Sequence, residues 1–351
     1  MRIRRSLPIV VAVLLVAAAV ALLVVLRKHA PPEPARLLPG ADGFVYVNLQ
    51  WMRRANILRE LPPVPPDPDY QQFIDATGFQ FERDLDEAAV AIHYPASLPV
   101  TTIDAAKQAR FSEVFTGKIQ GERLNAYLRK ISSSVVNYHD IDIYSIPLEG
   151  RTVRVAILGV DTVAASNHPD PQLIRGIVDR SRKLASPFAG PALLRQYYKE
   201  VPFASLAWAI VRVVPASAAE TGPASWSFLF SKPAVALASL RYLRAVHLRA
   251  VAFTNNEEDA QQLAERLETF LNVFHTAENT VSTSGADADV KAFFDSLKVE
   301  HQKNRALLTA TIPQGFIRKV FAEAPAAVTP SGTPPPNSPS VPANPATTSH
   351  K

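Results

Sequence analysis

His139-Asp140-Ile141-Asp142 places one imidazole beside two carboxylates. Side chains alternate along a strand, so Asp140 and Asp142 would share a face there and could hold a divalent cation through oxygen ligands. The run lies between two apolar stretches, where a polar turn is expected in any case, and the turn is the reading taken. Ser166-Asn167-His168-Pro169-Asp170 gathers the residue types of a hydrolytic triad. A triad needs them converged by the fold, with the base between nucleophile and acid. Crowded together ahead of a helix, they read as capping residues for free N–H groups.

Asp84-Leu85-Asp86 and Asp287-Ala288-Asp289 carry a spacing seen at metal sites. The second falls at a helix N-terminus, where the dipole favours acids, and the first lines a loop after a helix stop. Arg175, Arg180, Arg182 and Lys183 read as a solvated helix face. The phosphate-loop, dinucleotide, zinc-protease and nucleophile-elbow motifs are missing. No catalytic residue, metal ligand or cofactor site is therefore assigned. An envelope hydrolase built on the His139–Asp142 or Ser166–Asp170 run stands as the rival reading.

Aromatic residues gather between 185 and 239 in a Pro-broken context. Tyr197, Tyr198, Trp208, Trp226 and Phe228 mark either an ordinary core or an apolar groove open to a ligand, partner or lipid.

The elements that must position these groups follow from periodicity. Gly43 to Leu49, Ala88 to Tyr94, Phe111 to Thr116, Ile141 to Ile146, Thr152 to Leu158, Thr162 to Ala165, Ser205 to Val213, Ala245 to Phe253 and Arg305 to Ile312 read as strands. Gln50 to Leu61, Tyr70 to Thr77, Glu122 to Ile131, the run opened by Asp170-Pro171, Asn255 to about His275, Asp289 to Lys298 and Phe316 to Phe321 read as helices. Leu148-Glu149-Gly150-Arg151 is a hairpin turn. The expected fold is α+β, antiparallel sheets with helices packed on one face.

Two stretches look alike. Leu38-Pro39 leads into a strand around Tyr46, and Val201-Pro202 leads into one around Trp208. An Ile-Arg helix closes each half, at Ile174-Arg175 and Ile317-Arg318. Related halves over 38–184 and 185–323 are one expectation, and chance between short apolar motifs is the other.

Everything is placed relative to Leu7 to Leu26, which carries no charge and is long enough to cross a hydrocarbon core of roughly 30 Å. Arg2, Arg4 and Arg5 precede it, so residues 1–6 are expected in the cytoplasm and the C-terminal bulk in the periplasm. The apolar run continues well past Ala17-Ala18-Ala19, longer than the h-region of about 7–15 residues in a signal peptide, which favours an uncleaved anchor. Residues 27–37 read as a stiff Pro-rich linker. From Ala324 to Lys351 the chain is Pro, Ser, Thr and Ala, too poor in apolar surface to fold.

The chain has no cysteine, which removes disulfides, thiolate metal sites, cysteine nucleophiles and lipoprotein acylation. A net charge of +5 over 351 residues is too small and too dispersed for a nucleic-acid footprint. The layout resembles bacterial membrane-anchored proteins of unknown function, on the residues Leu38-Pro39 and Tyr46 and on the paired strands Asp142 to Pro147 and Thr152 to Ala156. That resemblance implies an exported, non-enzymatic protein, and the absence of a convergent catalytic set points to a module that binds another envelope component, protein or lipid. It carries over no site residue.

Overall fold

The computed structural model describes residues 30–57, 67–95, 108–148, 150–182, 190–215, 229–281, 288–313 and 315–316, with side chains of 274–281 excepted. The apolar run Leu7–Leu26, the tail from Ala324, and Lys183, Trp226 and Phe228 lie outside these residues. No helix among the described residues is long and apolar enough to cross a membrane.

One antiparallel sheet of twelve strands organises the fold. Its strands are β1 (Gly43–Asn48), β2 (Leu85–His93), β3 (Arg110–Gly117), β4 (Ser134–Tyr138), β5 (Ile141–Leu148), β6 (Arg151–Ile157), β7 (Thr162–Ser166), β8 (Ala207–Val213), β9 (Ala234–Tyr242), β10 (Val246–Phe253), β11 (Lys298–Gln302) and β12 (Arg305–Ile312). The order across the sheet is β11-β12-β10-β9-β8-β1-β2-β3-β7-β6-β5-β4. The seam is β1 against β8, and the layout on each side of it is alike. Three strands run outward as a meander, a helix follows, and the remaining strands return so that the last lies beside the third.

The helices are α1 (Glu33–Leu37), α2 (Leu49–Arg54), α3 (Pro68–Thr77), α4 (Phe81–Asp84), α5 (Gly121–Ile131), α6 (Gln172–Arg182), α7 (Ala192–Tyr197), α8 (Glu257–Val281) and α9 (Ala288–Asp295). Their boundaries follow local chemistry. Asp67 accepts from Tyr70 N at 2.8 Å to open α3, and Gly78 closes it at φ 71°. Asp170 accepts from Gln172 N at 2.8 Å and so opens α6.

Alternation along the strands separates two apolar layers. On one face Phe44, Tyr46, Val114, Ile143, Trp208, Ile210, Leu237 and Val251 join α1, α6 and α7 in the main core. On the other face Tyr144 and Val163 pack under Leu124 and Leu128 of α5, and Ala252 and Ala306 pack under Leu263 and Ala264 of α8. Helices thus cover both faces, not one. The amphipathic stripes of α5 and α8 were legible in the sequence, but which face of the sheet they cover depends on strand order.

Two further differences stand out. Residues 33–37, read as part of a spacer, form α1, with Pro34, Ala35 and Leu37 buried against β2 and β3. Pro34 is tolerated there because a helix's first turn has no use for its missing N–H. In addition, the expected sheets are one continuous sheet, because β1 and β8 pair residue for residue from Gly43–Val211 to Val47–Ala207.

Candidate functional site

The candidate site is a cavity of about 910 Å³ at the β1–β8 seam, on the main-core face. That volume is within the range of roughly 300–1,000 Å³ typical of small-molecule sites. Its floor is Tyr46 and Trp208, stacked with centroids 5.5 Å apart and planes at 21°. Offset stacking of this kind is favourable for two aromatic quadrupoles. Tyr198 stands against Trp208 edge-on, 5.3 Å away at 68°.

Asn48 links this floor to the wall. Its Oδ1 accepts from Trp51 N at 2.8 Å and caps α2. Its Nδ2 donates to the Tyr46 hydroxyl at 3.2 Å and to Glu87 Oε1 at 3.1 Å. Arg53 fixes α2 to β2 by donating to Leu85 O at 2.5 Å and pairing with Asp86 at 2.6 Å. The helix therefore holds Trp51, Arg54 and Ala55 along one side of the cavity.

The opposite side is the turn at Tyr198–Glu200 and the loop to Leu206. Arg305 anchors the turn by a bidentate pair with Glu200, at 2.8 and 3.2 Å. Arg249 lines the cavity and donates to Glu200 O at 3.2 Å. Ala204 sits at φ 59°, a conformation an alanine rarely adopts, directly after Phe203. Phe203 and Trp51 are 68% and 55% exposed, so the mouth carries two large apolar side chains facing water.

The interior favours uncharged groups. Burial raises the Tyr46 hydroxyl pKa far above its usual value, and the neighbouring Glu87 carboxylate adds to this. Tyr198 is pushed up to about 12, again by burial first and Glu87 second. Glu87 itself is raised, chiefly by burial. The Trp208 indole N–H is buried and has no acceptor among the described residues.

Two of the five aromatics read from the sequence, Tyr198 and Trp208, line this cavity. Tyr197 turns away, packs on Phe253 with centroids 5.0 Å apart, and lines a neighbouring groove of about 390 Å³. Sequence reasoning missed Tyr46, Asn48, Trp51 and Glu87. Tyr46 could have been found from the Pro-led likeness of the two strand entries, since its counterpart Trp208 was already a candidate.

The short motifs resolve into structure. His139 and Asp140, at φ 49° and 60°, form the two-residue turn joining β4 to β5. Asp142 accepts from Arg129 at 2.6 Å and Asn137 at 2.9 Å. Ser166 accepts from His168 N at 3.3 Å and His168 Nδ1 accepts from Asp170 N at 3.1 Å, local turn contacts, and of the run only Asp170 caps α6. Asp84 is paired with Arg83. The basic α6 face is not simply solvated. Arg175 lies over Tyr138 at 5.3 Å, Arg180 donates to Leu37 O at 2.6 Å and Arg182 to His139 O at 2.5 Å. Among the described residues no group of three or more His, Asp or Glu is placed to hold a metal ion.

One Ser–His contact was not legible. His93 Nε2 lies 3.1 Å from Ser112 Oγ, which lies 3.0 Å from Ser166 Oγ. Ser112 is fully buried, and its hydroxyl faces another hydroxyl rather than an open cavity. The contact lacks the access that nucleophilic attack requires.

No protein-family model and no curated protein matches the chain. Among solved structures it is similar to crystal form III of TP0453, at 11% identity and a TM-score of 0.46, over 83% of this chain and 98% of that one. Crystal form I of TP0453 gives 13% identity and a TM-score of 0.42, over 84% and 98%. At this level of similarity no property of TP0453 transfers to this chain.

Proposed function

We propose that this chain is a single-pass membrane-anchored protein of the bacterial cell envelope whose extracytoplasmic part binds a ligand at the β1–β8 seam and performs no chemistry on it. One observation carries the reading: a cavity of about 910 Å³ floored by the stacked rings of Tyr46 and Trp208. The His139–Asp142 and Ser166–Asp170 runs are instead tied into turns, a helix cap and an ion pair. The apolar run Leu7–Leu26 supports the anchor, and the shared three-strand meander, helix and return on each side of the seam, with four returning strands on the β1 side and two on the β8 side, supports an origin by duplication.

A ligand that binds only the folded state raises the unfolding midpoint. The test compares the detergent-solubilised full chain before and after an exhaustive delipidating wash. The wash is expected to lower the midpoint, and adding back the solvent extract of the unwashed protein is expected to restore it. An unchanged midpoint through both steps would contradict a bound ligand.

A further inference from the structure

We infer that the ligand is an anionic amphiphile, a lipid with an acidic head group taken from the membrane surface, and this inference rests on the binding reading above. Charge is the first argument. Three cations line the cavity, Arg54, Lys199 and Arg249, against one lining acid, Glu200, with a second acid, Glu87, behind Asn48. The Glu200 carboxylate is already held by Arg305 from the neighbouring groove. The lining therefore keeps an excess of positive charge for an incoming anion.

The mouth supplies the second argument. Trp51 and Phe203 are exposed beside Arg54 and Lys199, which are also exposed. Aromatic rings interleaved with long cations suit the head-group region of a bilayer, where rings meet acyl chains and cations meet phosphates. Arg54 already lies 5.5 Å from the Trp51 ring centroid, so one helix presents both chemistries together.

Reach is the third argument. Pro32 lines the cavity, and only residues 27–31 separate it from the end of the apolar run at Leu26. Six fully extended steps span at most about 20 Å, so an anchored chain keeps this cavity close to the bilayer surface. Inside, Tyr46, Trp208, Val201, Pro202 and Leu206 offer apolar area for acyl chain.

The experiment uses the full chain in neutral phosphatidylcholine vesicles. Tryptophan occurs at three positions, none in the apolar run, so indole fluorescence reports the extramembrane part alone. Acyl-brominated phosphatidylglycerol or acyl-brominated phosphatidylcholine is added as a minor component to Trp51→Phe/Trp226→Phe protein, which leaves Trp208 as the reporter. Brominated phosphatidylglycerol is expected to quench at far lower mole fraction than its neutral counterpart, and inorganic phosphate is expected not to relieve the quenching. Charge reversal at the mouth, Arg54→Glu/Lys199→Glu, is expected to weaken the anionic preference by roughly tenfold or more. Both side chains are exposed, so the fold survives, which far-ultraviolet circular dichroism checks. Equal quenching by both lipids would overturn the anionic preference while leaving ligand binding intact. Relief by inorganic phosphate would assign the site to a free anion and overturn the lipid. Quenching by neither lipid would overturn the inference, and the delipidation experiment would still report separately on whether any ligand is bound.

Discussion

Tyr46 and Trp208 are direct cross-strand partners at the β1–β8 seam, and their rings stack 5.5 Å apart over the cavity floor. The same pair joins the two sides of the sheet and shapes the candidate site, so stability and binding are coupled through it. Trp208→Ala is expected to cost about 3–5 kcal/mol, in the range for truncating a buried large aromatic. Trp208→Phe keeps a ring in the stack, so it is expected to cost far less in the ligand-free protein and to retain ligand where Trp208→Ala loses it. Urea unfolding of delipidated protein, beside lipid retention by the same variants, checks both expectations. Equal destabilisation by the two substitutions would count against the account.

His93 makes stability depend on pH. Its pKa is lowered from 6.5 to about 4, chiefly by burial, with the facing His168 ring, 5.2 Å away, contributing and Asp42 opposing. Ser112 accounts for its remaining polar contact. The folded state thus binds the proton less readily than the unfolded chain, so this contribution is complete above pH 6.5 and lost as pH falls toward 4. After allowance for the partly exposed ring, the loss is on the order of 1–2 kcal/mol. His93→Gln is expected to flatten that part of the stability–pH curve, and an unchanged slope would refute the assignment.

Gly117 closes β3 where the backbone of Asp84 passes over it. A Cβ built there would lie 2.4 Å from the Asp84 carbonyl oxygen, which also accepts from Lys118 N at 2.9 Å. Gly117→Ala must displace backbone and is expected to destabilise by roughly 1–3 kcal/mol. Gly121→Ala, with nothing within 4 Å of the added atom, is the matched control and is expected to be neutral or slightly stabilising. Similar thermal midpoints for the two variants would contradict the close approach.

Topology is open to a direct check because the chain has no native cysteine. Val160 is 89% exposed, so Val160→Cys offers a single reactive thiol on the folded part. A membrane-impermeant maleimide is expected to label it in cells whose outer membrane alone is permeabilised. Labelling only after inner-membrane lysis would place the folded part in the cytoplasm.

Strands with mixed apolar and β-branched content, such as β1, β2, β8, β10 and β12, were legible from the sequence, as were α3, α5, α6 and the start of α8. Three strands were not. β4, Ser-Val-Val-Asn-Tyr, lies at a sheet edge and is mostly exposed, so burial imposes no alternation on it. β11, Lys-Val-Glu-His-Gln, is the opposite edge and almost wholly polar. β9, Ala-Val-Ala-Leu-Ala-Ser-Leu-Arg-Tyr, is rich in alanine, a poor strand former held here by pairing on both sides. The site was half legible for a related reason. Tyr198 and Trp208 stand close together in an aromatic stretch, whereas Tyr46, Trp51 and Glu87 join them only through the register of β1 with β8 and β2.

The central claim is that the cavity between Tyr46, Tyr198 and Trp208 holds a ligand in the native protein. Native mass spectrometry of the full chain, released from mild detergent after purification from its own membranes, tests it most directly. The account expects one discrete additional mass per chain, reduced in Tyr198→Ala and absent after delipidation. The mass of the bare chain alone, from protein never exposed to a stripping wash, would contradict it.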